Sequence, residues 1–414
     1  MTVAETRYGK VRGAEIADGV LGWRGIAYAR PPVGALRFRP PEPPDAWADV
    51  RDALEYGHRS LQPEPIPDPQ APPTSEDCLY LNVTAQAGAA GRPVLFWVHG
   101  GGFEMGQAPN QAGDGVAFAR SHGLVVVTVN YRLGALGFLD VPGEHPTGAA
   151  GLHDQIAALR WTHENIAAFG GDPGQITVYG LSAGAKSVTN LLASPLARGM
   201  IARAAESSGG DYVKDRAQGR ALTERFLIEL GSAPERLRAV PATDILSAQV
   251  AVAPMPRSTW IWRPSVDGAA LTESPLTAIA AGSAANATSS AAFSDTRPCG
   301  PKVFGRVWSW PLSSVISATG LASPGTLISR VFASVTTSSG KAAFASSAVK
   351  VTSHSRCKQG SPRSRCRPCR SRCTSSSCRT ARRGARRTGA PAASSAARRT
   401  RRAGGRTRWR RPTG

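Results

Sequence analysis

The chain has 414 residues and a formal net charge of +21, long enough for one large α/β domain or two smaller ones with a substantial core. That charge is unevenly placed: residues 1–295 hold 24 basic and 29 acidic residues, net −5, whereas 296–414 hold 26 basic residues and no acid. The average describes neither part, so the bulk charge excludes reading the whole chain as a basic nucleic-acid binder.

Residues 2–30 alternate apolar and polar side chains about a turn at Gly9-Lys10, which predicts a small N-terminal antiparallel sheet. The proline-rich run up to Trp47 and residues 61–74, with six prolines, are expected to be extended loop. Ser75–Val83 reads as a strand. Pro93–Val98 is a continuous apolar run, expected of a strand buried on both faces of a parallel sheet, and it leads into His99-Gly-Gly-Gly-Phe103. Three consecutive glycines cost backbone entropy, so they serve either a tight turn or a loop whose bare N–H groups approach a ligand. Leu124–Val129 is the next core strand. Leu152, Ile156, Leu159, His163 and Ile166 share one face at helical spacing and predict a helix from about Asp154 to Phe169, on which His163 reads as a half-buried histidine rather than a catalytic one. Gly170-Gly-Asp-Pro173 ends that helix.

The stretch from Ile176 to Leu192 organises the remainder. Ile176–Tyr179 reads as a buried strand and Ala185–Leu192 as the opening of a helix, with Gly180-Leu181-Ser182-Ala183-Gly184 between them. A G-x-S-x-G pentapeptide at a strand-to-helix crossing is a nucleophile elbow: the serine sits in a tight, strained turn, and flanking glycines lack the Cβ that would clash. The hydroxyl is then exposed above the sheet edge, with a helix N-terminus behind it that favours developing negative charge. Further on, Leu222, Phe226 and Leu230 mark an amphipathic helix, Val266-Asp-Gly268 a turn and Pro275–Gly282 a short helix. Strand and helix in alternation imply an α/β fold, a parallel sheet covered on both faces.

Cys78 is the only cysteine before residue 296; Cys299, Cys357, Cys366, Cys369, Cys373 and Cys378 come after it. A body with one cysteine has no internal disulfide, which fits a reducing compartment. The N-terminus has no apolar signal-like region, and no window reaches membrane-spanning length without charges, so a cytoplasmic location is expected and no membrane partner. The sequon-like Asn82-Val-Thr84 carries no meaning there.

Taken together, the segments resemble the type-B carboxylesterases of the α/β-hydrolase fold, which include cholinesterases and bacterial para-nitrobenzyl esterases. The resemblance rests on Gly25–Phe38, Glu76–Val83, His99–Phe103, Asn130-Tyr-Arg-Leu133, Gly151-Leu-His-Asp-Gln155, Phe169–Pro173, the pentapeptide, Ser194-Pro195, Ser207-Ser-Gly209 and Val266-Asp-Gly268, in family order over about residues 5–285. It implies hydrolysis of small-molecule carboxylic esters through an acyl-serine intermediate, with no cofactor or metal. Ser182 matches the nucleophile; Gly101, Gly102 and Ala183 match the oxyanion-hole donors. Two departures stand out: Leu181 replaces a glutamate usual beside the serine, and Ser60 stands where many relatives have the cysteine that bridges to Cys78.

A serine hydroxyl needs a base, usually a histidine oriented by a carboxylate. The resemblance places a glutamate and then a histidine after the Gly282-Ser-Ala284 segment, and neither motif is present. The last acid is Asp295, and the only histidine after Ser182 is His354, whose context does not fit; the triad acid and histidine are therefore unassigned. From about Asn286 the chain becomes rich in Ser, Ala, Arg, Cys and Thr, and its 119 residues from 296 onward lack any acid. That composition predicts disorder, and translation out of frame would account for it. We thus expect an α/β-hydrolase body at 1–285 and a basic tail at 286–414. Cys366-x-x-Cys369 with Cys373 and Cys378 has the spacing of a zinc site, but interleaved arginines and no apolar scaffold argue against one. The arginine clusters would bind polyanions nonspecifically, without a base-reading fold. The remaining alternative is a catalytically inactive esterase-like scaffold.

Overall fold

The computed structural model describes residues 1–64, 68–108, 115–143, 146–253 and 260–284, and the backbone of 288–292. The N-terminal alternation folds into β1 (Thr2–Thr6), β2 (Gly9–Ala17) and β3 (Val20–Ala27), paired antiparallel. The first turn lies at Arg7-Tyr8 rather than Gly9-Lys10, because Thr6 Oγ1 accepts the N–H groups of Tyr8 and Gly9 at 3.2 Å and closes the turn earlier. Two-residue β4 (Arg51–Asp52) pairs with β2, and β5 (Arg59–Ser60) with β6 (Thr74–Ser75) brackets the proline-rich loop.

These N-terminal strands are not a separate small sheet. β3 pairs antiparallel with β7 (Tyr80–Gln86), which joins them to the central sheet. That strand starts five residues later than Ser75, because the Tyr80 N–H turns back to the Cys78 carbonyl (2.9 Å) and Glu76 is held by Arg37. The sheet continues through β8 (Arg92–Val98), β9 (Val125–Val129), β10 (Gly171–Leu181), β11 (Arg203–Ser207) and β12 (Thr288–Ala292). Its ten strands run in the order β1-β2-β3-β7-β9-β8-β10-β11-β12, with β4 to one side. Pairing is antiparallel as far as β7–β9 and parallel from β9 to β12.

Period-two alternation assigns the side chains of the parallel strands to two faces. Val94, Phe96, Val98, Val125, Val127, Val129, Ile176 and Val178 enter one core with Leu152, Ile156, Leu159 and Val188. Leu95, Trp97, Val126 and Tyr179 enter another with Phe118. Those partners come from α3 (Ala150–Asn165) and α4 (Ala183–Ala193) for the first core and α1 (Val116–His122) for the second, so the sheet is covered on both faces as continuous apolar strands require. α3 begins four residues before Asp154: Gly151 packs so close to Arg132 and Phe138 that a Cβ would lie 2.5 Å from the Arg132 carbonyl oxygen. It ends at Asn165, where a 3₁₀ turn (Ile166–Phe169) leads to Gly170 at φ 83°.

A third apolar cluster is built from α2 (Gly134–Phe138), α5 (Arg216–Leu230) and α6 (Ala242–Val252) around Phe226 and Trp262, whose rings meet edge to face at 5.9 Å. α5 is capped by Asp215 and Gln218 in a reciprocal capping box and ends at Gly231. The short α7 (Pro275–Ala280) comes after Ser274. Among the described residues no helix is long and apolar enough to cross a membrane. The expectations for Asp295, His354, the tail cysteines and the arginine clusters fall outside the described residues.

Candidate active site

β8 and β10 are adjacent parallel strands, with Val98 opposite Gly180, so the loops leaving the two strands emerge at the same sheet edge. In open α/β sheets that carboxyl edge is where ligands bind. β10 delivers Ser182 and then α4; β8 delivers His99–Phe103.

Ser182 has φ 60° and ψ −115°, a conformation that strains an L-residue by about 1 kcal/mol or more. Its backbone is held from both sides: its N–H donates to Ser207 O (2.9 Å), and its carbonyl accepts the Lys186 N–H (3.1 Å). The two glycines of the pentapeptide are needed for packing. A Cβ on Gly180 would collide with the backbone of Gly184, and one on Gly184 with the Val98 carbonyl. The serine is half-buried, and among the described residues its hydroxyl makes no hydrogen bond.

The glycine loop lies directly against it. A Cβ on Gly100 would fall 2.5 Å from Leu181 O and 3.3 Å from Ser182 Cβ. Gly101 and Gly102 have φ of 121° and 70°, in the region that favours glycine, and the Gly101 carbonyl accepts the N–H groups of Glu104 (3.2 Å) and Met105 (3.1 Å). Three side chains and one amide hold this curl. Gln62 clasps Gly106 through its carbonyl (3.0 Å) and N–H (2.8 Å), Tyr131 Oη donates to His99 O (2.9 Å), Asn130 Oδ1 accepts from Ala108 N (2.7 Å), and Gly134 N donates to Phe103 O (2.8 Å). The His99 ring stacks on Tyr131 at 4.4 Å between centroids, and burial pushes its pKa down to about 4, so it is neutral at pH 7.

Among the described residues the N–H groups of Gly101, Gly102 and Ala183 have no acceptor. Gly102 and Ala183 are buried, and unpaired backbone donors there cost free energy that a plain turn need not incur. Gly101 and Gly102 lie on the loop packed against the elbow, and Ala183 stands at the first position of α4, where a helix N-terminus favours negative charge.

Other residues singled out in the sequence find structural places. Leu181 ends β10 opposite Ser207, and its carbonyl packs on Gly100. Ser60 Oγ accepts the Leu133 N–H (3.0 Å). Cys78 is free and buried; burial pushes its thiol far above the ordinary range, with the neighbouring Ser60 hydroxyl countering in part. Asn82 is buried and bonded to Gly25 N and Thr128 Oγ1. His163 is half-buried on α3. The separated segments meet in ion pairs: Arg132 clasps Asp154 through Nε (2.8 Å) and Nη2 (2.6 Å), and Arg37 clasps Glu76 (2.7 and 2.6 Å).

Sequence reasoning missed several groups. His153 pairs with Asp267 (Nε2 to Oδ2, 2.7 Å) across 114 residues. Gln62 gives no signal in its proline-rich loop. Lys186, one helical turn after Ser182, is joined by Tyr212 and Trp260 from distant loops. Among the described residues no histidine or carboxylate hydrogen-bonds the Ser182 hydroxyl, and no group of three metal-ligating side chains converges.

Residues 1–292 match the model of the carboxylesterase family. The chain is 41% identical over 294 residues to para-nitrobenzyl esterase of Bacillus subtilis, covering 68% of this chain and 60% of that protein. It is 40% identical over 254 residues to liver carboxylesterase 1 of Oryctolagus cuniculus, covering 55% of this chain and 44% of that one. The crystal structure of a Geobacillus stearothermophilus carboxylesterase is similar with a TM-score of 0.65 at 45% identity, over 71% of this chain and 61% of that one. The chain thus spans less than two thirds of the length of these relatives.

Proposed function

The chain belongs to the carboxylesterase family, and from that premise we propose that it hydrolyses small-molecule carboxylic esters through an acyl intermediate on Ser182. In this reading Ser182 Oγ attacks the ester carbonyl carbon and gives its proton to a base. The former carbonyl oxygen gathers negative charge, which the N–H groups of Gly101, Gly102 and Ala183 stabilise without reorganisation, each donor contributing about 3 kcal/mol. The tetrahedral intermediate then expels the protonated alcohol, and water repeats the sequence on the acyl-serine to release the acid. The observation that carries the proposal is the strained elbow placing Ser182 against a loop with unpaired amides. No described histidine or carboxylate bonds the serine, and the base and acid of this step are unassigned.

Turnover of p-nitrophenyl acetate and butyrate beside Ser182→Ala, together with fluorophosphonate labelling, tests this. Serine-dependent turnover supports it. Equal background rates with an unlabelled Ser182 favour the inactive-scaffold reading, since removing a triad base costs about 10⁶ in rate. We further propose a hydrolase body of residues 1–285 and a tail of 286–414 read out of frame, supported by the acid-free composition and by a family match that ends at 292. Resequencing codons 280–300 decides it: a confirmed frame refutes the idea. Cytoplasmic residence is proposed on the single, unbridged Cys78 of the body.

A further inference from the structure

Beside the elbow lies a positively charged aromatic cluster that ester hydrolysis as such does not use. Lys186 Nζ sits 4.8 Å from the ring centre of Trp260 and 5.9 Å from that of Tyr212, and donates to Ser208 O at 3.1 Å. Arg263 stacks on the Tyr212 ring at 4.6 Å and donates to Trp260 O at 2.8 Å, while Tyr212 and Trp260 meet edge to face at 5.6 Å. The cluster adjoins the nucleophile: Ser207 O accepts the Ser182 N–H, and the next carbonyl, that of Ser208, accepts the ammonium. Side chains on a helix lean toward its N-terminus, so the Lys186 stem leans back toward Ser182.

Two half-buried cations here have no carboxylate in contact. Neither Lys186 nor Arg263 forms an ion pair among the described residues, and Arg263 Nε is buried without an acceptor. Glu206, whose charge acts on Lys186, is half-buried and bonded to Thr189 Oγ1 (2.7 Å), and burial raises its pKa. Burial also lowers the pKa of Lys186, with Glu206 opposing. Ring faces compensate a cation only in part, and a desolvated ammonium and guanidinium favour an arriving anion.

We propose that Lys186, with Arg263 and the Tyr212–Trp260 pair, forms a subsite for a carboxylate, selecting esters that carry a free acid group such as monoesters of dicarboxylic acids. This rests on the ester-hydrolase reading only for its link to Ser182. The test is calorimetric titration of full-length Ser182→Ala protein, which cannot turn the ester over. The ligands are monomethyl glutarate (acid on the acyl side), O-butyrylglycolate (acid on the alcohol side) and uncharged methyl butyrate. At least one charged ester is expected to bind about tenfold or more tightly than methyl butyrate, as a charged hydrogen bond allows. Adding Lys186→Met should reduce the ratio to about twofold, and Lys186→Arg should retain it, which separates charge from loss of fold. Equal binding of all three ligands, or a preference unchanged in Lys186→Met, overturns the proposal. Fluorophosphonate labelling of the wild-type chain distinguishes the two failures. A labelled Ser182 without carboxylate preference sinks only the subsite, whereas Lys186-dependent binding with an inert Ser182 sinks only the hydrolase reading.

Discussion

Gly100→Ala is the sharpest probe of how the glycine loop packs on Ser182. Gly100 is buried, and a Cβ there would lie 2.5 Å from Leu181 O and 3.3 Å from Ser182 Cβ. Ordinary contact begins near 3.4 Å, so loop and elbow must separate by 0.9 Å. The obstructing atom is backbone, which no rotamer change can relieve. Overpacking of this kind costs about 1–3 kcal/mol. At about 2–4 °C per kcal/mol for a body of this size, Tm should fall by roughly 2–12 °C. Under the proposed hydrolase reading, displacing the loop amides by nearly 1 Å should slow the chemistry more, by about 10²-fold. The assay is thermal unfolding with the rate of fluorophosphonate labelling at Ser182, beside Gly174→Ala as control. At Gly174 the added Cβ would meet only the exposed Asp172 carboxylate at 3.3 Å, and both readouts should stay near wild type. A Gly100→Ala protein with unchanged Tm and a labelling rate within twofold would refute the packing of this loop on the serine.

The same structure sets three further outcomes. Asp154→Asn leaves the fully buried Arg132 guanidinium without its counter-charge and should cost about 3–5 kcal/mol by urea unfolding; a loss under 1 kcal/mol would show that the pair contributes little. Ser60→Cys should oxidise to a bridge with Cys78, closing an 18-residue loop that adds about 3 kcal/mol, against the cost of the lost acceptor for Leu133 N–H. Peptide mapping that finds Cys78 alkylated only after reduction confirms it, and a free Cys78 under oxidising conditions contradicts it. Burial raises the pKa of Asp267, but bonds from His153 and the Leu271 and Ala269 N–H groups outweigh it and leave the carboxyl below its ordinary 3.8. A depressed carboxylate stabilises the fold above its unfolded pKa, and that stability disappears as pH falls through the lower folded value. Asp267→Asn should therefore lower Tm at pH 7 and converge on wild type as the pH drops below 3.8; a gap that persists or widens in acid would contradict this sign.

Much of the body was legible in the sequence because its signals are local. Ile176–Tyr179, Pro93–Val98 and Leu124–Val129 are short runs rich in β-branched or aromatic residues, apolar throughout or nearly so, as expected of strands buried on both faces, and each lies in a strand of the parallel sheet. The G-x-S-x-G spacing demanded an elbow, and the backbone of Ser182 has the strain it calls for. Boundaries were less legible. β7 and α3 begin where long-range partners, Arg37 on Glu76 and Arg132 on Gly151, set the backbone, and no neighbour in the chain announces that.

What the tertiary structure alone decided is which distant groups share one place. The N-terminal hairpins read as a sheet of their own, yet β3 had an edge to fill, and β7 filled it. Gln62 and Gly106, His153 and Asp267, Lys186 and Trp260 carry no pattern that links them, because hydrogen bonds and ring contacts across 44, 114 or 74 residues have no period in sequence. Covalent order and periodicity determined the strand–elbow–helix and the serine at its turn. Packing of the sheet determined that the glycine loop stands against that serine, since only the pairing of β8 beside β10 brings their two ends to the same edge.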